Sequence, residues 1–155
     1  MKLSVIIVAF KSDHLLEDLI LSLPTHHDVI VVENSLQVKT KKNLENKFSN
    51  VQVIVPEKNL GYSGGINLGI KNSKNNFVLA LVADLILSKE MIINLEKCLL
   101  KFTDFALIAP IYKNESVHKN YKIFHNNNVH KFNIDNFNIK EVDEIDGAFL
   151  LINKD

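Results

Sequence analysis

The segment Asn59-Leu60-Gly61-Tyr62-Ser63-Gly64-Gly65-Ile66-Asn67-Leu68-Gly69-Ile70 is the most informative stretch of this chain. It holds all but one of the protein's glycines, together with two asparagines, and it follows the apolar run 51–55. Glycine adopts left-handed backbone angles readily and has no Cβ, so Gly61, Gly64 and Gly65 permit a tight turn and a close approach by a ligand or a neighbouring strand. We predict a glycine-rich loop here, between a buried strand and a short helix.

Apolar runs that do not alternate with polar residues lie on both sides of this segment, at 3–10, 29–32, 77–82 and 105–109. Leucine and isoleucine recur at helical spacing before Pro24, a weaker helix is predicted over about 38–48, and Ser88 is the expected N-cap of a helix that contains Cys98. Strands of this kind, alternating with helices, indicate an α/β fold: a doubly wound, mostly parallel sheet with helices on both faces.

The character of the chain changes after Pro110, where polar, Asn-rich segments surround two short β-like runs at 121–124 and 129–132. We predict a hairpin or surface excursion there, followed by a core strand within 144–152. The expected organisation is one domain over residues 1–155. Its α/β part spans 1–110, and the excursion with the returning strand spans 111–155.

Ligands of open α/β sheets bind outside the carboxyl ends of the strands. Four polar or glycine-bearing strand ends are predicted to meet at that edge, namely Ala9-Phe10, Glu33-Asn34, Asn59-Leu60-Gly61 and Ala83-Asp84. The first strand-to-helix turn has no glycine, which disfavours a classical dinucleotide fold, and no G-K-S or G-K-T loop is present for a Walker-type hydrolase.

Composition narrows the choice of partners. The formal net charge is zero and the chain has no arginine, so nucleic acid is not an expected partner. We expect no transmembrane segment, a cytoplasmic location, and at most peripheral contact with the inner membrane. Cys98 is predicted to be a core thiol, and the histidines show no recognisable metal-ligand spacing.

The chain resembles the inverting family 2 glycosyltransferases of the GT-A fold, especially rhamnosyltransferase-like members that build bacterial surface polysaccharides. The resemblance rests on an ordered set of motifs that covers nearly the whole chain: the opening strand 3–8, Val31-Val32-Glu33-Asn34-Ser35, the N-L-G-x-x-G-G-x-N-x-G-I signature at 59–70, Leu81-Val82-Ala83-Asp84, and the D-G-A-x-x-L-I segment at 146–152.

The resemblance implies a donor site for a nucleoside-diphosphate sugar, either a UDP- or a dTDP-sugar, and a saccharide or lipid-linked acceptor. It makes Asp84 the ligand of a divalent cation, Mg²⁺ or Mn²⁺, since hard cations prefer carboxylate and phosphate oxygens. Glu33 would form a hydrogen bond with the base or ribose, and Phe10 would stack on the base. The implied nucleotide-sugar-binding residues are Ala9, Phe10, Glu33, Asn34, Asn59, Gly61, Gly64, Asn67, Asp84, Asp146 and Gly147.

Three departures from the family pattern keep alternatives open. Glu33 stands where the family has aspartate, Val82 replaces a polar motif residue, and no later helix carries the E-D pair that supplies the general base, so the catalytic residue is unassigned and the C-terminal part of the family domain is expected to be missing. A non-catalytic or truncated nucleotide-sugar-binding domain is the alternative function. A nucleotidyltransferase is a remoter one, because its basic, glycine-rich loop after the first strand is absent.

Overall fold

The computed structural model describes residues 2–111, 121–122, 131–134 and 137–155, with only the backbone given for 121–122, 131–134 and 137–139. The elements in chain order are β1 (Ser4–Ala9), α1 (Asp13–Ser22), β2 (Asp28–Glu33), α2 (Val38–Lys47), β3 (Val51–Ile54), α3 (Gly61–Asn72), β4 (Phe77–Val82), α4 (Lys89–Leu99), β5 (Leu107–Ile108), β6 (Tyr121–Lys122), β7 (Lys131–Ile134), β8 (Phe137–Lys140), β9 (Glu144–Ile145) and β10 (Phe149–Asn153).

A six-stranded sheet in the order β3-β2-β1-β4-β10-β5 forms the centre of the molecule. Strands β1 to β4 pair in parallel, and β10 enters between β4 and β5, antiparallel to both. The prediction of a mostly parallel α/β sheet is therefore confirmed, and the last apolar run does return to the core. One antiparallel strand in an otherwise parallel sheet places the start of β10 beside the end of β4.

The two faces of the sheet carry different helices. Side chains of successive strand residues point to opposite faces, so Val5 and Ile7 join one apolar cluster while Ile6 and Val8 join the other. The first cluster includes buried residues of α1, α2 and α4, and the second includes Ile66 of α3. Burial on both faces explains why the strand sequences read as continuous apolar runs.

The helix predicted to follow the glycine-rich loop is α3, but it begins at Gly61 and so includes most of the segment predicted as a loop. The runs at 121–122 and 131–134 are strands, but they pair with 144–145 and 137–140 instead of with each other, and the remaining residues of the predicted hairpin lie outside the described residues. Ser88 is the N-cap of α4, since its side-chain oxygen accepts the Met91 N–H at 3.2 Å.

Candidate functional site

Strands β1 to β4 end at one edge of the sheet, which we call the C-terminal rim. The rim comprises residues 9–11, 33–36, 59–61 and 83–84, which lie at or after the ends of these strands. Helices α1 and α2 lie over one face of the sheet while α3 lies over the other, so the chain changes face between β1 and β4. Such a switch point leaves a crevice outside the strand ends, where open α/β sheets bind ligands.

The backbone of the rim adopts left-handed angles at three places. Lys11 has φ 56°, Leu36 has φ 65° and Gly61 has φ 68°. The first two are unusual because side chains with a Cβ disfavour this region, at a cost of about 1–2 kcal/mol each. The Lys11 N–H donates to Ser35 Oγ at 2.5 Å, which joins the loop after β1 to the loop after β2. Strained backbone of this kind, held in place by contacts from other loops, is typical of ligand-binding positions.

Glu33 is the buried acid of this rim. Its side chain is fully buried, and Oε1 accepts the Ser35 N–H at 2.7 Å. The second oxygen, Oε2, is buried and has no hydrogen-bond partner among the residues that the structure describes. A buried carboxylate oxygen without a donor is costly, so an N–H or O–H group supplied by a ligand would be favourable there. The Glu33 side chain therefore has no access to solvent, and one of its oxygens caps the turn that follows β2.

Phe10 is exposed at the end of β1. Its exposed fraction is 52%, and the Lys11 ammonium lies 5.3 Å from the ring centroid. Phe10 is therefore not part of the core. Ala9 before it is completely buried, and its carbonyl oxygen accepts the Asn34 N–H at 2.8 Å, which joins the ends of β1 and β2. An exposed aromatic ring at the end of a strand can stack on a planar ligand group.

The asparagines at the rim hold the first turn of α3. Asn34 is buried, its Nδ2 donates to the Gly61 carbonyl at 3.0 Å, and its Oδ1 accepts the Leu60 N–H at 3.3 Å. Asn59 Oδ1 accepts the Gly61 N–H at 2.8 Å. Both side-chain amides thus form hydrogen bonds with the backbone around Gly61, and these bonds fix where α3 begins. Contacts of Asn34, Asn59 and Gly61 with a nucleotide remain a prediction.

The glycines after the first turn of α3 serve helix packing. A Cβ on Gly65 would lie 2.8 Å from Val8 Cγ1, and a Cβ on Gly69 would lie 2.5 Å from Ile6 Cγ2. These distances are far below ordinary carbon contacts of about 3.5–4.0 Å, so α3 rests directly on β1. The close approach that the sequence indicated is therefore made to a neighbouring strand at these two positions.

Two further predicted residues lie on α3 itself. Gly64 has its Cβ position 2.9 Å from Leu60 Cβ, at the start of the helix, and Asn67 is exposed. Their part in ligand binding stays a prediction.

Asp84 and Asp146 come from distant parts of the chain to adjacent strand ends. Asp84 is exposed two residues after β4, and the Val82 N–H at the end of β4 donates to the Ala148 carbonyl at 3.1 Å. Asp146 is exposed, and its Oδ1 accepts the Ala148 N–H at 3.3 Å. Carboxylates are the hard oxygen ligands that Mg²⁺ and Mn²⁺ prefer, so their chemistry fits a divalent cation, and the role of Asp84 as its ligand stays a prediction.

The sequence prediction missed Tyr62, which occupies a variable position of the glycine signature. Its O–H donates to the carbonyl oxygen of Gly147, and a Cβ on Gly147 would lie 3.3 Å from Tyr62 Cε1. The pKa of the Tyr62 hydroxyl is raised, first by burial and then by the charge of Asp146. The only local signal for Tyr62 was an aromatic residue within a glycine-rich segment, and its partner lies 85 residues away in sequence.

A cluster of His26, His27 and Glu96 lies where β2 begins, at the edge of the sheet opposite the C-terminal rim. Glu96 Oε1 lies 2.7 Å from His26 Nε2 and 3.3 Å from His27 Nε2. The Leu3 N–H donates to His27 Nδ1 at 3.2 Å, which places the proton of the neutral ring on Nε2. A metal-bound histidine donates from its other nitrogen, so the geometry of His27 does not fit a metal ligand.

No helix within the described ranges has the length and apolar character that a bilayer-spanning segment needs. No match to a curated protein was found. Residues 4–155 match the family model described as glycosyl transferase family 2.

Solved structures give three comparisons. The S. aureus TarS 1–349 structure in complex with UDP-GlcNAc is 26% identical, with a TM-score of 0.55, and the match covers 64% of this chain and 31% of that chain. The mannosyltransferase PcManGT from Pyrobaculum calidifontis, in complex with GDP-Man and Mn²⁺, is 14% identical with a TM-score of 0.67, and the match covers 97% of this chain and 44% of that one. The 4-diphosphocytidyl-2C-methyl-D-erythritol synthase from Anaerococcus prevotii DSM 20548 is 13% identical with a TM-score of 0.56, covering 98% and 70% respectively.

The last two similarities concern the fold alone. The chain spans less than a third of the TarS chain that it matches.

Proposed function

This chain belongs to glycosyl transferase family 2, and on that basis we propose that it transfers a sugar from a UDP- or dTDP-sugar to a hydroxyl of a saccharide or lipid-linked acceptor, with inversion. The proposed setting is surface polysaccharide synthesis on the cytoplasmic side of the membrane. The observation that supports this most is buried Glu33, whose Oε2 lacks a hydrogen-bond donor among the described residues at the rim where such sheets bind nucleotides.

The nucleoside is proposed to bind between the ends of β1 and β2. The exposed ring of Phe10 would stack on the base, and Glu33 Oε2 would accept one N–H or O–H of the base or ribose. Because Glu33 Oε1 already accepts the Ser35 N–H, Oε2 is the oxygen that lacks a donor. The imide N–H of uracil or thymine would supply such a donor.

The diphosphate is proposed to lie near the start of α3 and the ends of β4 and β10. Helix α3 begins at the rim, and the positive end of a helix dipole favours an anion. Asp84 would hold a divalent cation together with phosphate oxygens, with Asp146 as the neighbouring carboxylate. The cation, when bound, neutralises negative charge that develops on the leaving diphosphate.

In the proposed reaction an acceptor hydroxyl oxygen bonds to the anomeric carbon while the bond from that carbon to the diphosphate oxygen breaks. The products are an inverted glycoside and a nucleoside diphosphate, and the hydroxyl proton passes to a general base. No residue is assigned that role. Phe10, Glu33 and the rim backbone would orient the donor so that its anomeric carbon faces the acceptor.

A binding domain without transferase activity is the second candidate, and a specific observation favours it. Partly buried Val82 occupies the motif position at which the family carries a polar residue, followed by buried Ala83. Apolar side chains there remove one polar contact to the cation or ribose, which weakens the site without abolishing it. Turnover separates the two candidates, because only an enzyme releases nucleoside diphosphate from a nucleotide sugar.

Calorimetric titration of the intact chain with UDP, dTDP and GDP, each with and without Mn²⁺, tests the binding site. We expect UDP or dTDP to bind more tightly with Mn²⁺, and Asp84→Ala to remove most of that gain, at least about tenfold in affinity. Asp18→Ala is the matched control, because Asp18 is an exposed aspartate on α1. An absence of nucleotide binding, or equal Mn²⁺-dependent affinity in Asp84→Ala, would contradict the proposal.

A further inference from the structure

The hydrogen bond from Tyr62 to Gly147 joins the two halves of the candidate site. Tyr62 lies in the first turn of α3, immediately after Gly61, whose backbone is held by Asn34 and Asn59. Its ring is partly buried and packs against the apolar cluster between α3 and the sheet. The hydroxyl is therefore presented from a rigid element, because the helix start is fixed on one side and the ring on the other.

The acceptor of this hydrogen bond lies in the turn 146–148 that precedes β10. Gly147 contributes its carbonyl oxygen to Tyr62, and Ala148 contributes its own to the Val82 N–H at 3.1 Å. The Ala148 N–H in turn donates to Asp146 Oδ1 at 3.3 Å. The turn is thus attached to α3 on one side and to the end of β4 on the other, and it supplies one hydrogen bond to the Asp146 carboxylate.

The contact between Tyr62 and the turn leaves little room for change. A Cβ on Gly147 would lie 3.3 Å from Cε1 and 3.9 Å from the hydroxyl oxygen of Tyr62. Burial and the nearby charge of Asp146 raise the pKa of the hydroxyl, so Tyr62 keeps its proton and remains a donor at neutral pH. A phenol held against a backbone carbonyl beside a carboxylate fixes the distance of that carboxylate from α3.

We propose that Tyr62 is a positioning residue, which holds the turn 146–148 so that Asp146 faces the nucleotide sugar beside Asp84. This inference rests on the proposed function. Tyr62 acts through Asp146 and does not touch the reacting atoms. Loss of its hydroxyl should release the turn while leaving α3 and the sheet in place, because the ring of phenylalanine fills the same space.

The first experiment needs no ligand and measures amide hydrogen exchange by NMR in the intact chain, comparing wild type with Tyr62→Phe. We expect the Ala148 amide to exchange about five- to tenfold faster in the variant, since one hydrogen bond that fixes its turn is lost. The Leu151 amide, in the middle of β10, should not change. Asn72→Ala is the matched control, because it removes an exposed side-chain bond from the last turn of the same helix.

The second experiment measures affinities for UDP-GlcNAc, UDP and dTDP with Mn²⁺ in wild type, Tyr62→Phe, Asp146→Asn and the double variant. If Tyr62 acts through Asp146, Tyr62→Phe should weaken the tightest of these ligands about three- to tenfold and should cost nothing further in the Asp146→Asn background. Additive losses, or unchanged affinity in Tyr62→Phe, would overturn the positioning role.

The two experiments separate this inference from the proposed function. If Tyr62→Phe leaves Ala148 exchange unchanged, or accelerates Ala148 and Leu151 equally, then Tyr62 does not specifically fix the turn 146–148, even if nucleotides bind. If the wild-type chain binds none of the three nucleotides, the proposed function is refuted, and so is the role of Tyr62 toward the donor. This holds even if faster Ala148 exchange confirms the contact between Tyr62 and Gly147.

Discussion

Replacing Gly69 by alanine tests whether the glycines of α3 serve helix packing. The new methyl group would lie 2.5 Å from Ile6 Cγ2, 2.9 Å from Cδ1 and 3.0 Å from Cγ1. Ile6 is completely buried in the sheet, so it has little room to move. Overpacking of this kind costs about 1–3 kcal/mol, whereas alanine in place of glycine stabilises a helix interior by about 1 kcal/mol.

Because the overlap is severe, we place the cost of overpacking near the upper end of its range. After subtraction of the gain in helix propensity, we expect Gly69→Ala to lower the free energy of unfolding by about 2 kcal/mol. Urea denaturation followed by circular dichroism measures this change. The sign of this change is informative, because the same substitution at an exposed helix position with no facing side chain would raise the free energy of unfolding.

A second variant identifies the contact responsible. Ile6→Ala removes all three clashing atoms and by itself should cost about 2–5 kcal/mol through the cavity that it leaves. In the double variant the methyl group at position 69 enters that cavity, so the two changes should be less than additive by about 1–3 kcal/mol. Gly61→Ala is the control: a Cβ there meets nothing within 4 Å, and its cost of about 1–2 kcal/mol arises from φ 68°. Ile6→Ala should not relieve it.

Either of two results would refute this reasoning. The first is a rise of about 1 kcal/mol in the free energy of unfolding of Gly69→Ala, as helix propensity alone requires. The second is additivity of the effects of Gly69→Ala and Ile6→Ala, which would mean that the two side chains do not press on each other.

Two further predictions concern buried polar groups. Glu33→Gln should weaken UDP or dTDP binding about tenfold in calorimetry. The free energy of unfolding should be unchanged or raised, because a neutral amide replaces a carboxylate oxygen that lacks a donor. Tighter binding, or a marked loss of stability, would contradict this. Burial lowers the pKa of His27 from 6.5 to about 4, with a further contribution from His26 that Glu96 and Asp28 partly oppose. The unfolded chain therefore binds a proton at higher pH than the folded one, so stability should fall as the pH drops from about 6.5 to about 4, by up to about 3 kcal/mol. Urea titrations across this pH range measure the fall, with His14→Gln as an exposed comparison away from His27, and a flat profile would count against it.

The sequence by itself determined the secondary structure and the chemistry available at the strand ends. Apolar runs such as the one at β4 and helical spacing such as that of α1 are local patterns, and they predicted the parallel strands and most helices close to their observed ends. The order of the motifs was also sufficient to indicate glycosyl transferase family 2. Burial of both sheet faces, which these patterns record directly, is the physical reason for this success.

Only the tertiary structure decided what the individual residues do. The glycine segment has the same sequence whether its glycines approach a ligand or a neighbouring strand, and the short distances to Val8 and Ile6 show that Gly65 and Gly69 pack against β1. Likewise, the insertion of β10 between β4 and β5 brings the turn 146–148 to Tyr62 and to the end of β4. Strand order and register depend on contacts between residues far apart in sequence, so no local pattern records them.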